Sequence, residues 1–208
     1  MKSTRTLIRR TVAITTAGAA AFVLAACGSE DTAGHGGGHT SKSPSATASQ
    51  GERQQNAADV AFAQGMIPHH RQAVEMAELA PERAESAELK QLAEQIKKAQ
   101  DPEIKTLSGW LASWGEDVPA EGEMGGHGGH DGGGMMTEAE MAGLEKASGK
   151  AFDTAFMELM IKHHEGAVAM AKTEQAEGAY APAKEMAGAI ITSQSDEIER
   201  MNEMLGKS

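Results

Sequence analysis

The chain repeats itself. Two segments of this 208-residue sequence align without gaps at an offset of 94 residues, so that Asp59 falls on Asp153, Phe62 on Phe156, Met66-Ile67 on Met160-Ile161 and His69-His70 on His163-His164. The match continues through Val74 on Val168 and Met76-Ala77 on Met170-Ala171. It then crosses a turn into a second helical stretch, where Lys90 falls on Lys184, Ile96 on Ile190, Gln100 on Gln194, Glu103-Ile104 on Glu197-Ile198 and Leu111 on Leu205. Agreement across helix, turn and helix implies duplication of a whole helical hairpin, which cannot bury its apolar face alone and needs its copy. The expected product is an all-α four-helix bundle of two pseudo-twofold hairpins.

Punctuation places the helices. Helix one is expected from Ala57 to Leu79 with Pro81 stopping it, and helix two from Ser86 to Trp114 with Gly115 beyond its end. A short helix opens after Thr137, whose hydroxyl and Glu140 form a capping-box pattern, and stops near Gly149. Helix three covers Lys150 to Gln175. Helix four starts near Pro182, suited to a first turn, and ends before Gly206.

The remainder of the chain does not look like core. Lys2, Arg5, Arg9 and Arg10 precede an apolar run from Thr11 to Ala26, the order of an export signal and short for a membrane span. Residues 1–26 are therefore read as a removable signal. The lone cysteine, Cys27, ends Leu24-Ala25-Ala26-Cys27, which resembles the lipobox of bacterial lipoproteins, and a single thiol can form no internal disulfide. Cys27 is expected to carry a lipid that anchors the chain to the outer face of the cytoplasmic membrane or the cell envelope. Residues 27–55 have almost no large apolar side chain and read as a tether. Residues 56–208 form the bundle, with repeat one at 57–115, a Gly, His and Met linker at 119–136, and repeat two at 137–206.

Charge excludes one class of partner. Removing the four leading basic residues from 19 leaves 15 Lys and Arg against 30 Asp and Glu, so nucleic acid is not expected to bind.

At about 100° per residue, His69 and His70 flank the apolar stripe that carries Phe62, Met66 and Ala73, with Met76 on its edge; His163, His164, Met160 and Met170 repeat the arrangement. Core-facing histidines are costly unless their ring nitrogens are satisfied. A metal ion satisfies them directly. Imidazole with thioether sulfur points to copper, as Cu(I) or Cu(II), ahead of zinc or iron. The expected ligands are His69, His70, His163, His164, Met66, Met76, Met160 and Met170, forming one shared site or two half-sites. Gln100 and Gln194 face inward on the other helices and are expected to brace the rings, while Glu103 and Glu197 at the stripe's edge could be ligands, acceptors from the ligands, or surface charges. Pro68 before His69, against Lys162 in the other half, predicts a local bend. His35, His39, Met124, His127, His130, Met135 and Met136 are candidates for loose, exchangeable metal contacts.

These residues resemble the family of domain of unknown function 305. Its pattern of Phe, then Met-Ile-x-His-His, then Ala-x-x-Met-Ala, then Gln-x-x-Glu-Ile occurs twice here, at Phe62 to Ile104 and Phe156 to Ile198. The resemblance implies a ferritin-like helical fold, an extracytoplasmic setting and, in some members, copper binding and tolerance. It does not carry ferritin chemistry over, because Met stands three before His69 and His163 where a di-iron motif needs Glu. The expectation is a non-enzymatic copper-binding lipoprotein that sequesters the metal or passes it to a copper-handling protein. A metal-dependent oxidoreductase and a metal-free structural or partner-binding bundle are the alternatives.

Overall fold

The computed structural model describes residues 55–122 and 133–207, all within the compact unit Thr47–Ser208. Five helices follow in order: α1 Ala57–Arg83, α2 Ala87–Trp114, α3 Glu138–Lys146, α4 Gly149–Glu177 and α5 Ala181–Met204. Strands are absent among the described residues. Cys27, His35, His39, Met124, His127 and His130 lie outside them.

Helix ends follow local chemistry. Asn56 and Asp59 close a capping box on α1, Ser86 caps α2 through the Leu89 N–H, and Thr137 with Glu140 closes the expected box on α3. Gly115 ends α2 in the left-handed conformation at φ 80°. Two expectations are corrected. Helix one does not stop at Pro81 but continues to Arg83, because a proline in the last turn sacrifices one hydrogen bond while the Ala84 N–H still reaches the Ala80 carbonyl. Nor does the short helix reach Gly149: it ends at Lys146, and Gly149 with φ 61° instead opens α4. α1 also runs unbroken through Pro68.

The hairpins α1–α2 and α4–α5 pack against each other through α1 and α4. Each long inner helix also holds the turn of the opposite hairpin. Asp153 on α4 accepts the Glu85 and Ser86 N–H groups at 3.0 and 2.9 Å, and its repeat mate Asp59 on α1 accepts those of Ala179 and Tyr180 at 3.1 and 2.9 Å. The apolar interior is in two clusters. One contains Met76, Leu89, Ile96, Phe152, Phe156, Met160 and Met201, the other Phe62, Met66, Leu107, Leu111, Ala171 and Ile190. On every long helix the residues of one cluster precede those of the other, and the stretch between them is polar. No described helix is long and apolar enough to cross a membrane.

Candidate metal centre

That polar stretch forms a belt across the middle of the bundle. It holds His69 and His70 on α1, Gln100 and Glu103 on α2, His163 and His164 on α4, and Gln194 and Glu197 on α5. The four histidines and the two glutamines are all buried. His69 and His163 meet at the centre with ring centroids 3.8 Å apart, tilted by 43°.

The outer histidines are bonded alike. Nε2 of His70 lies 2.7 Å from Oε2 of Glu103, and Nε2 of His164 lies 2.7 Å from Oε2 of Glu197. A carboxylate only accepts, so each Nε2 carries a proton, and in the neutral form of the ring the lone pair is on Nδ1. Of the four residues expected as possible acceptors around the rings, the two glutamates are the ones bonded to them. Gln100 finds no partner for either amide atom, and Oε1 of Gln194 is likewise unpartnered. Sequence placed Glu103 and Glu197 at the edge of the stripe, and a carboxylate there can reach inward while staying partly hydrated.

Unpartnered nitrogen is concentrated here. Nδ1 of His69, His70 and His164, and both nitrogens of His163, are buried without a hydrogen-bond partner. Each such group costs on the order of 1–3 kcal/mol when nothing satisfies it. Burial, reinforced by the neighbouring rings, pushes the pKa of His69 down to about 3 against a partial offset from its bond to Gly133, and holds that of His163 well below 6.5 against a partial offset from the His69 backbone. Both rings are neutral at ordinary pH. Neutral imidazole with a free lone pair is the form that binds metal.

Thioethers lie above and below the belt. Met66 and Met170 belong to one apolar cluster, Met76 and Met160 to the other, so each side receives one methionine from α1 and one from α4. Met66, Met76 and Met160 are fully buried. Met170 is half-buried, with its Sδ lying against Gly65. Among the described residues no three His, Cys, Asp or Glu side chains converge as a metal cluster. Neutral imidazole and thioether sulfur are both ligand types that suit a soft ion.

The linker contributes more than its composition suggests. Met136 is buried in the core, while Met135 lines a neighbouring cavity of about 290 Å³ together with Pro68, Glu75 and Met141. Gln72, which sequence reading passed over, brackets the Met136 backbone: its Oε1 accepts the Met136 N–H at 2.6 Å and its Nε2 donates to the Met136 carbonyl at 3.0 Å.

The chain belongs to the family described as Domain of unknown function (DUF305), matching it over residues 59–205. A DUF305 protein of Streptomyces coelicolor, classed as secreted, is 33% identical with a TM-score of 0.64, covering 72% of this chain and 93% of its own. CopM in its Cu(II)-bound form is 37% identical with a TM-score of 0.61, covering 70% of this chain and 94% of its own. CopM is similarly related in its Cu(I)-bound form, at 34% identity and a TM-score of 0.58 with 70% and 94% coverage. Among curated proteins nothing matches.

Proposed function

We propose that this protein is an extracytoplasmic copper-binding lipoprotein that sequesters copper or hands it on, without catalysing a reaction. One observation carries the reading: four buried histidines, two of them in ring contact across the pseudo-twofold, leave nitrogens unpartnered between methionine-bearing clusters. The relationship to CopM in Cu(I)-, Cu(II)- and silver-bound forms supports a soft metal as cargo. Export is supported by the secreted relative and by the signal-like N-terminus, and lipid attachment by the lipobox-like Leu24 to Cys27. His69 and His163 would form the centre, with Nδ1 of His70 and His164 and the thioethers of Met66, Met76, Met160 and Met170 available to it. The 3.8 Å ring contact favours one shared centre over two separate half-sites.

A metal-free role fits less well. If the belt were only structural, the amide of Gln100 and the Nδ1 atoms of His69, His70 and His164 would be expected to satisfy each other or a neighbour, and they do not. Titration with Cu(I) under reducing conditions and with Cu(II) in air tests the reading. The wild-type protein should bind tightly and melt at higher temperature when loaded. A variant with His69, His70, His163 and His164 all changed to Ala should lose that binding. Equal affinity in both would overturn the proposal, and a His69→Gln/His163→Gln variant, which keeps side-chain volume and polarity, guards against loss by misfolding.

A further inference from the structure

Two residues at equivalent places in the repeat hold the end of the linker from opposite sides. Gln72 on α1 brackets Met136 through both hydrogen bonds of its amide. Gly166 on α4 aligns with Gln72 in the repeat, and a Cβ there would overlap the carbonyl of Gly133 and the nitrogen of Gly134. Gly133 and Gly134 take φ of 43° and 87°, which glycine adopts without strain, and Gly134 presses so closely on the Lys162 and His163 carbonyls that it too has no room for a side chain. With Met136 sunk into the core, the segment 133–136 is a strap fastened at three points.

The strap delivers one polar group to the belt. The Gly133 carbonyl lies 3.0 Å from Nε2 of His69. A carbonyl has no proton to give, so Nε2 must donate, and the lone pair of His69 is confined to Nδ1, which is buried with no partner. His163, the repeat mate of His69, has no linker carbonyl beside it: the backbone group that acts on it is that of His69, and neither of its nitrogens reaches hydrogen-bond geometry. One linker joins the two hairpins, so the strap serves only one of the two central rings.

We propose that Gly133–Met136 is a positioning strap that fixes His69 as the Nε2–H tautomer and aims its Nδ1 lone pair at the metal centre, with Gln72 and Gly166 as the positioning residues that hold it. The metal half of this statement rests on the copper reading above; the tautomer half does not. The belt is thereby asymmetric, with the linker presetting one central ring and not the other. An outer group that fixes a ligand's tautomer commonly contributes 10–100-fold to metal affinity.

The test uses the full chain, metal-free, with ¹⁵N-labelled histidine and two-bond ¹H–¹⁵N correlation. Wild-type His69 should give a single Nε2–H pattern. Gly166→Ala, which expels the strap from α4, and Gln72→Met, which releases it from α1 at similar volume, should each turn that pattern into a mixture and speed hydrogen exchange at the Met136 amide. Faster exchange at Met136 with an unchanged His69 pattern in both variants would overturn the proposal, as would a wild-type His69 protonated at Nδ1. On copper titration both variants should bind about tenfold or more weaker than wild type. Variants that show the tautomer change while the wild-type protein binds no copper would sink the copper reading and leave the strap's action on His69 established.

Discussion

Asp59 and Asp153 are the same residue in two copies of one hairpin, and each holds the turn of the opposite copy, yet their surroundings have diverged. Asp153 accepts two backbone N–H groups. Asp59 accepts from Asn56, Ala179 and Tyr180, and it also lies against the buried carboxyl of Glu174. Where repeat one has Ala80 and Ala84, repeat two has Glu174 and Gly178, and a Cβ at Gly178 would overlap the Glu174 carboxyl. The two differences fit each other: the long acid at one position fills the space that a side chain at the other would need. Duplication supplied the common framework, and size-matched pairs of changes specialised its two ends.

The largest effect should come from removing the aspartates. Asp59→Ala strands the N–H groups of Ala179 and Tyr180 together with Glu174, at a cost of about 3 kcal/mol for charge-assisted bonds of this kind. Asp153→Ala loses fewer and should cost about 2 kcal/mol. Urea denaturation followed by tryptophan fluorescence can measure both, since Trp110 and Trp114 pack edge-on against Tyr180. Equal losses would mean that the acid pair contributes nothing to the difference.

A second experiment isolates the acid pair. Burial, and then the neighbouring Asp59, push the pKa of Glu174 up from 4.5 to about 8, against a partial offset from Lys184. Burial alone would raise Asp59 too, but the N–H groups of Asn56, Tyr180 and Ala179 and the Glu174 proton outweigh it and leave its pKa lowered. The folded protein thus holds a proton between about pH 4.5 and 8 that the unfolded chain releases. The resulting stability is complete below 4.5 and is lost as pH rises through about 8. Glu174→Gln keeps a donor facing Asp59 at every pH. Between pH 5 and 9 the wild type should lose about 2 kcal/mol that the variant retains, the usual scale for a buried carboxylate left without a donor. Parallel pH profiles for the two proteins would place Glu174 in water.

How much of this was legible in the sequence depends on which residues carried a period. The repeat placed four helices, aligned Asp59 with Asp153 and put both histidine pairs on the buried stripe, because those features recur and burial follows helical geometry. It could not show what either aspartate does, since their partners are backbone N–H groups in the other copy. Gln72, Gly166, Glu174 and Gly178 escaped because each differs from its repeat mate, and a search built on agreement is blind to such positions. Which of the glutamines and glutamates reach the rings stayed open for another reason. Angular position located both on one face, but Glu103 and Glu197 sit three residues further along than Gln100 and Gln194, and height along the axis decided which reached the rings.

The smallest effect tests the belt itself, in metal-free protein. Replacing a buried polar group that has no partner by an apolar one removes a penalty without stranding anything, whereas replacing a bonded group leaves its partner unpaired. Neither nitrogen of His163 reaches hydrogen-bond geometry, with only the His69 backbone acting on the ring, so His163→Leu should stabilise the metal-free bundle by about 1 kcal/mol despite the imperfect fit of the new side chain. His69→Leu removes the same ring from the equivalent position but strands the Gly133 carbonyl, and that loss should cancel the gain or exceed it. The two substitutions are identical in chemistry and related by the repeat, so a difference in their urea midpoints measures what the strap adds to one half. Equal midpoints would mean that the Gly133 carbonyl is solvated once the ring is gone, whereas a destabilising His163→Leu would mean that its nitrogens are already paired without metal.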